Sequence, residues 1–134
     1  MKKMIMAGAL LSVLVWATMP AQAQQGPPNI SAESATQTTA DEKLAFTRDA
    51  LTEMNEALGL STQYLEQAQA DGDEDTIQCV RLKQASIKAL RDVSERANMM
   101  MQDALSSGSP ERSNHEFRKV AVALSKVRQF MAEA

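Results

Sequence analysis

The chain has 134 residues, a formal net charge of −3 at pH 7, and only one Trp, one Tyr and three Phe. This acidic balance lacks the concentrated basic face that nucleic-acid binding requires, which argues against nucleic acid as the main partner. A single cysteine, Cys79, excludes an internal disulfide framework. We therefore expect an aliphatic hydrophobic core to hold the fold.

Residues 1–23 have the pattern of a Sec-type signal peptide. Lys2 and Lys3 precede an apolar run over residues 4–19, and "AQA" at 21–23 supplies a cleavage site after Ala23. The run is short for a bilayer span, and no stop-transfer segment follows it. We expect a periplasmic or secreted protein with no membrane span in the mature form. A retained signal anchor is the alternative.

Residues 24–40 are rich in Gln, Pro, Ser, Thr and Ala, and Ile30 is their only large apolar residue. Such a segment buries too little surface to offset the entropy of ordering, which predicts a disordered leader.

The first long helix is predicted over residues 41–70. Leucines recur every seven residues, and smaller residues occupy the alternate positions, as in a coiled-coil seam. These two columns are Leu44, Leu51, Leu58 and Leu65, and Thr47, Met54, Ser61 and Ala68. Gly59 weakens the interior, but the register continues through it, which favours one helix.

The second helix is predicted over residues 75–106. A helical projection gathers one apolar stripe, which consists of Cys79, Leu90, Val93, Ala97, Met101 and Ala104, with Leu82, Met100, Ile87 and Leu105 at its edges. Cys79 is thus predicted to be buried near the centre of the stripe. Lys83 is expected to lay its stem along the seam and keep its ammonium in water.

The third helix is predicted over residues 110–133. Ser109 is the expected N-cap, and Pro110 occupies the first helical position. Ser113 to Glu116 is a competing capping-box start. Apolar residues then recur at 3–4 spacing: Phe117, Val120, Leu124, Val127 and Met131. Short loops between three amphipathic helices predict an all-α fold, an antiparallel up-down-up three-helix bundle over residues 41–134.

Charge divides along the chain. Residues 41–75 carry ten acidic and two basic side chains, whereas residues 76–134 carry six acidic and ten basic ones. An acidic first helix against two more basic ones helps to select which faces meet, although each exposed pair contributes little stability.

The "DGDED" segment between the first two helices resembles a calcium loop at first sight. An EF-hand requires Gly at its sixth position and Glu at its twelfth, but Thr76 and Leu82 stand there. The segment is better explained by helix ends. Gly72 ends the first helix, and Asp75 caps the second with Gln78 three residues later.

Cys79 has three possible roles: a buried structural residue, a disulfide link between two chains, or a reactive thiol that acts as a catalytic nucleophile or in redox chemistry. Reactive thiols need exposure or an activating neighbour, and the projection favours the buried role. His115, the only histidine, falls far from the apolar face of its helix and is expected to be exposed. No Cys–His pair is therefore predicted.

Enzymatic chemistry finds no support in the sequence. It contains no nucleophile motif, phosphate loop, zinc spacing or paired-carboxylate pattern. Only Lys83, and Arg48 near a seam, are positively charged residues close to a buried face, too few for an anionic substrate pocket. We expect no enzyme activity, no catalytic residue, no cofactor, no metal and no small-molecule substrate.

Three consecutive methionines occupy positions 99–101. Successive helical residues point in different directions, so the three cannot all face one soft metal ion. The projection places Met101 in the core and Met100 at its edge. Met99 alone points outward, which makes it the candidate residue for a partner surface.

Two stretches, "CVRLKQASIKALRDVSERANMMMQDAL" and "NHEFRKVAVALSKVRQFMAEA", resemble a family of small exported helical proteins from myxobacteria and related deltaproteobacteria. The likeness covers the second and third helices and less of the first. It implies export and a helical fold, and it implies no activity and no site residue.

The leading hypothesis is a non-enzymatic periplasmic helical module that self-associates or offers a groove to a protein partner. The alternative is a periplasmic chaperone or stress protein resembling Spy and CpxP, although "LSTQ" at 60–63 is only a loose match to their repeats. Soft-metal binding is the third possibility.

Overall fold

The computed structural model describes residues 32–133, which form four helices. They are α1 (Ala32–Gln37), α2 (Ala40–Asp71), α3 (Glu74–Ser106) and α4 (Pro110–Ala132). The predicted all-α class is confirmed, and α2, α3 and α4 follow the three predicted helices closely. The predicted signal peptide and residues 24–31 of the predicted leader lie outside the described residues.

Side-chain hydrogen bonds show how the long helices run. Asn55 accepts from Arg91 and Thr62 accepts from Gln84, so α2 and α3 are antiparallel. Lys83 Nζ, near the start of α3, donates to the carbonyl oxygen of Glu133 at 2.6 Å. Since α4 ends there, α3 and α4 are also antiparallel. The short α1 packs against α4, so all four helices pack together.

The helix ends have local causes in the sequence. Thr39 and Glu42 form a capping box at the start of α2, a motif that satisfies two backbone donors. Gly72 ends α2 in the left-handed conformation with φ of 71°, as predicted. The predicted cap at Asp75 is wrong: Asp73 is the N-cap of α3 and accepts from the Thr76 amide at 3.0 Å. Asp73 follows Gly72 directly, so its carboxylate is close enough to accept from that amide.

The other predicted termini agree with the structure. Ser109 occupies the N-cap position of α4 and Pro110 its first turn, although the serine side chain makes no capping hydrogen bond. The competing start at Ser113 does not occur, because Ser113 lies buried within the helix. Gly59 lies inside the unbroken α2, as expected.

The leader prediction differs from the structure over Ala32–Gln37, which is helical. This short helix has no large apolar residue. Its Ala35 is nevertheless fully buried, in a cluster with Met101 and Phe117. The helix could not be predicted from composition, because its burial depends on one small side chain that fits between residues of other helices.

The main core consists of small and medium side chains. Its buried members are Ala50, Met54, Ala57, Ile87, Ala97, Val120, Ala123, Leu124 and Val127. Thr47, Ser61, Ser94 and Ser113 are also buried. Alanine and serine at so many buried positions allow the helix axes to approach closely, so the packing depends on few large side chains.

The two predicted columns of α2 have different roles. Thr47, Met54, Ser61 and Ala68 are buried as predicted, whereas Leu44, Leu51, Leu58 and Leu65 are only partly buried. A second fully covered column consists of Lys43, Ala50 and Ala57. These three are covered because α4 packs on that side, and the large leucines lie along the other flank.

The predicted burial of Cys79 is wrong, since its side chain is exposed. Near the start of α3 the buried residues are Ile77 and Val80, which face α2. Cys79 lies on the flank that α4 covers further along the chain, and α4 ends beside Lys83. The predicted stripe is confirmed only in part: Ala97, Met101 and Ala104 are buried, whereas Val93 is 39% exposed even beside α4, and Ile77, outside the stripe, is buried. The projection also gave no information on where the covering helix stops.

An ion pair joins α2 to the last turns of α4. Arg128 Nε and Nη2 donate to Glu53 Oε1 and Oε2 at 2.6 and 2.7 Å. The hydrogen bonds from Arg128 lower the pKa of Glu53 below its ordinary value of 4.5, against a smaller opposing effect of burial. The pair therefore favours the ionised carboxylate in the folded protein.

We expect Glu53→Gln to lower the free energy of unfolding at pH 7 by less than about 1 kcal/mol, because both side chains are some 40% exposed and screened. The folded pKa is depressed, so this contribution is present above pH 4.5 and is lost as pH falls below it. Urea unfolding of wild type and variant at pH 7 and pH 3 measures the difference. Glu56→Gln, at an exposed position without an ion pair, is the control; an equal effect of both variants would contradict the prediction.

Candidate functional site: the α3–α4 groove

An apolar groove of about 520 Å³ lies between the outer sides of α3 and α4. Its lining residues are Leu90, Val93, His115, Arg118, Lys119, Val122 and Ala123. Residues of α4 reach the groove because they are spaced three and four apart, which places them on one helix face. We call this surface the α3–α4 groove.

Two valines leave apolar surface open in the α3–α4 groove. Val122 is 60% exposed and Val93 is 39% exposed. Met100 lies seven residues after Val93 on the same flank and is also exposed. Single exposed apolar side chains are ordinary, but Val93 and Val122 line the same groove.

The polar side of the α3–α4 groove carries positive charge. Lys119 Nζ pairs with Glu116 Oε1 at 2.9 Å, so its charge is partly neutralised. The side chain of Arg118 forms no hydrogen bond or ion pair with any other residue in the range 32–133, and its Nε is buried without an acceptor. A guanidinium beside exposed valines offers a carboxylate both charge and donors.

Two further grooves are less suited to a specific contact. The larger, about 680 Å³, lies between α2 and α3 and has mixed walls, in which Asp41, Arg48, Asn98 and Gln102 stand beside Leu44 and Leu105. A third, about 450 Å³, is formed by the first two turns of α3. The larger of the two has no exposed large apolar side chain, and the smaller has one, Leu82, among charges of both signs: Glu74, Asp75 and Arg81.

The three methionines point in three directions, as the sequence predicts. Met101 is fully buried, Met100 is 46% exposed, and Met99 is 62% exposed. Met99 does not line the α3–α4 groove. Its role as a partner surface stays a prediction.

The other singled-out residues do not assemble into a common site. His115 is exposed as predicted and lines the α3–α4 groove, whereas Cys79 lies near the opposite end of α3. Among residues 32–133, no three His, Cys, Asp or Glu side chains are grouped closely enough to hold a metal ion.

Sequence reasoning missed the α3–α4 groove, although one signal was available. Val122 breaks the 3–4 repeat of α4 and falls between the buried Ala121 and Ala123. An apolar residue at such an outward position adds to an exposed apolar patch only if a neighbouring helix brings a second one beside it, as Val93 of α3 does here. Periodicity analysis counts residues that fit the repeat and therefore ignores it.

No protein-family model, curated protein or solved structure matches the chain. Within the described part of the chain, none of the helices is both long enough and apolar enough to cross a membrane.

Proposed function

We propose that this protein is a non-enzymatic helical interaction module that binds an acidic amphipathic helix of a partner protein in the α3–α4 groove. The observation that carries the proposal is the open apolar floor around Val93 and Val122 beside Arg118, which has no acidic partner within the described chain. A helix in a groove is a common mode of peptide recognition. In this mode apolar anchors supply affinity, and charges at the rim select the partner.

Positive charge near the groove selects for an acidic partner. Lys126 follows Val122 by about one turn, is exposed, and pairs with no acid among residues 32–133. Together with Arg118 it places two uncompensated cations along the α4 side of the groove. An acidic helix with leucine or valine at 3–4 spacing matches both the floor and the rim. Such a module acts in the periplasm or outside the cell if the predicted signal peptide operates.

The test uses two designed amphipathic helical peptides of about 20 residues, identical in their leucine seam and flanked by either Glu or Lys. Fluorescence anisotropy measures their binding to the protein. We expect the Glu peptide to bind at least about tenfold more tightly and to weaken with added salt. Val122→Glu should weaken its binding by about tenfold, because the exposed valine is a central apolar contact.

Met99→Glu is the matched control, since Met99 has nearly the same exposure as Val122 and lies outside the groove. It should leave binding of the Glu peptide unchanged within about twofold. If Met99→Glu weakens binding and Val122→Glu does not, the partner surface is at Met99 and the groove assignment is wrong. Equal binding of both peptides, with suppression of aggregation of an unfolded client, would replace the proposal with the chaperone alternative.

A further inference from the structure

The helices α2 and α3 form a hairpin, and the end of this hairpin that carries the connecting turn extends past the end of α4. The side of the hairpin that faces α4 is therefore uncovered near the turn. Along α2, the column that faces α4 is 5% exposed at Lys43, 2% at Ala50 and 5% at Ala57, but 48% exposed at Tyr64. The change follows from the length of α4. Arg128 lies beside Glu53, and the four residues that remain to Ala132 take α4 only to the level of Ala57.

Along α3 the corresponding flank is partly open beside α4, where Val93 is 39% exposed, and it is more open beyond the end of α4. Lys83 marks the end of α4 through its hydrogen bond to Glu133, and Leu82 and Cys79 precede it. Leu82 is 64% exposed, and Cys79 is also exposed. Leu82 lies three turns before Val93, which lines the α3–α4 groove, so both are on the flank that faces α4. Residues on the α2-facing side, such as Val80, remain buried.

These residues form a single surface, which we call the hairpin-end face: Leu60, Tyr64, Cys79 and Leu82. Leu60 is 44% exposed and lies seven residues after Glu53, on the flank of α2 that bears the contact with Arg128. The seven-residue spacing of a coiled-coil seam therefore continues along α2 beyond the point where α4 ends. An apolar seam continued in this way fits another helical pair.

Charge varies along the hairpin-end face and indicates the occupant. At the tip, Asp71 continues the Tyr64 column, and Asp75 lies in the first turn of α3. At the other limit lies the ammonium of Lys83. Two parallel copies would place acid against acid. Two antiparallel copies, related by a twofold axis at the level of Cys79, midway between the acidic tip and Lys83, would place each acidic tip beside the Lys83 of the other copy.

We propose that the hairpin-end face is a homodimer interface, occupied by the same face of a second copy in antiparallel orientation. Tyr64 and Leu82 of both copies supply the apolar contacts on either side of the twofold axis, and Asp71 of each copy pairs with Lys83 of the other. The interface is small, so the dimer is weak and reversible. This inference concerns a different surface and a different partner from the α3–α4 groove, and it does not rest on the proposed function.

Sedimentation equilibrium of the protein, expressed with its full N-terminal sequence and purified in the form that mass spectrometry identifies, measures the dimer dissociation constant. Leu82→Glu should raise that constant by about tenfold or more. Met99→Glu, at a residue of the same helix with matching exposure, should leave it unchanged within about twofold. Both positions are exposed, so circular dichroism should show unchanged helix content. A monomer at all concentrations, or equal effects of both variants, would overturn the proposal.

A charge exchange tests the antiparallel orientation. Asp71→Lys places lysine against Lys83 of the other copy and should raise the dissociation constant several-fold, as should Lys83→Asp. The double variant restores opposite charges in both pairs and should return the constant to near the wild-type value. Asp71→Lys puts a cation at the C-terminal end of α2, where the helix dipole favours it, so the fold is retained. Additive weakening in the double variant would contradict the antiparallel arrangement.

Cys79 gives an independent readout because it lies near the proposed twofold axis. A short bis-maleimide should join the Cys79 thiols of two copies, and Leu82→Glu should abolish the product. Met99→Glu should leave the yield unchanged. A yield that does not differ between the two variants would reflect random collision and would count against the interface.

Discussion

Phe117→Ala should lower the free energy of unfolding by about 3–5 kcal/mol, the largest loss that we expect from a single truncation in this chain. The Phe117 side chain is 2% exposed and meets the Phe46 ring edge-on, with centroids 5.2 Å apart. It also packs in the cluster that holds Ala35 of α1 and Met101 of α3. Truncation leaves a cavity that three helices border, and urea unfolding measures the cost.

The same variant should release α1. The helix α1 has only six residues, which is too few for an isolated helix to persist. We therefore expect its contact with this cluster to hold it in place. Amide hydrogen exchange over residues 32–37 should therefore accelerate in Phe117→Ala. Phe130→Ala is the matched control on the same helix, because Phe130 is partly buried against the other cluster. If both variants cost the same and α1 is released in neither, the second cluster does not hold α1.

Much of the fold follows from local rules that act within a few residues. Helix boundaries at Gly72 and Pro110 were predictable because a left-handed glycine and a proline without an amide hydrogen act on their immediate neighbours. The assignment of Thr47 and Met54 to the core also followed from spacing alone. Each of these predictions depends on one helix and not on where its neighbours begin or end.

The errors in predicted burial share one physical cause, which is that burial depends on the neighbouring helix. Cys79 lies in the predicted stripe, but it is exposed because α4 stops beside Lys83. Ala35 lies in a segment of low hydrophobicity, but it is buried because Met101 and Phe117 provide a contact. Single-sequence periodicity gives the direction of a side chain and not the length of the element that covers it.

The same limit explains why the candidate sites were not predicted. The α3–α4 groove requires that Val93 and Val122, on different helices, lie side by side. The hairpin-end face requires the relative lengths of three helices. Spacing within one helix predicted the exposure of Met99 and His115, which agrees with the structure. It could not predict which exposed residues adjoin one another.

Met54→Ala should lower the free energy of unfolding by about 2–5 kcal/mol, because Met54 is fully buried in the main core. Its neighbours in that core include Ala50, Ala57 and Ala97, whose short side chains cannot move to fill the space. The cavity should therefore remain largely open, which places the loss toward the upper part of the range. Urea unfolding at pH 7 measures it.

Leu51→Ala separates the two columns of α2 that sequence spacing treats as equivalent. The sequence predicts that Leu51, like Met54, lies in the buried seam, but Leu51 is only partly buried. Its truncation should cost roughly 1 kcal/mol, since it removes partly exposed methylene groups and encloses no cavity. Both variants keep a strong helix former in α2, so a difference in helix propensity does not account for the contrast. A larger loss from Leu51→Ala than from Met54→Ala would mean that the leucine column faces the core and that α2 is rotated about its axis relative to this structure.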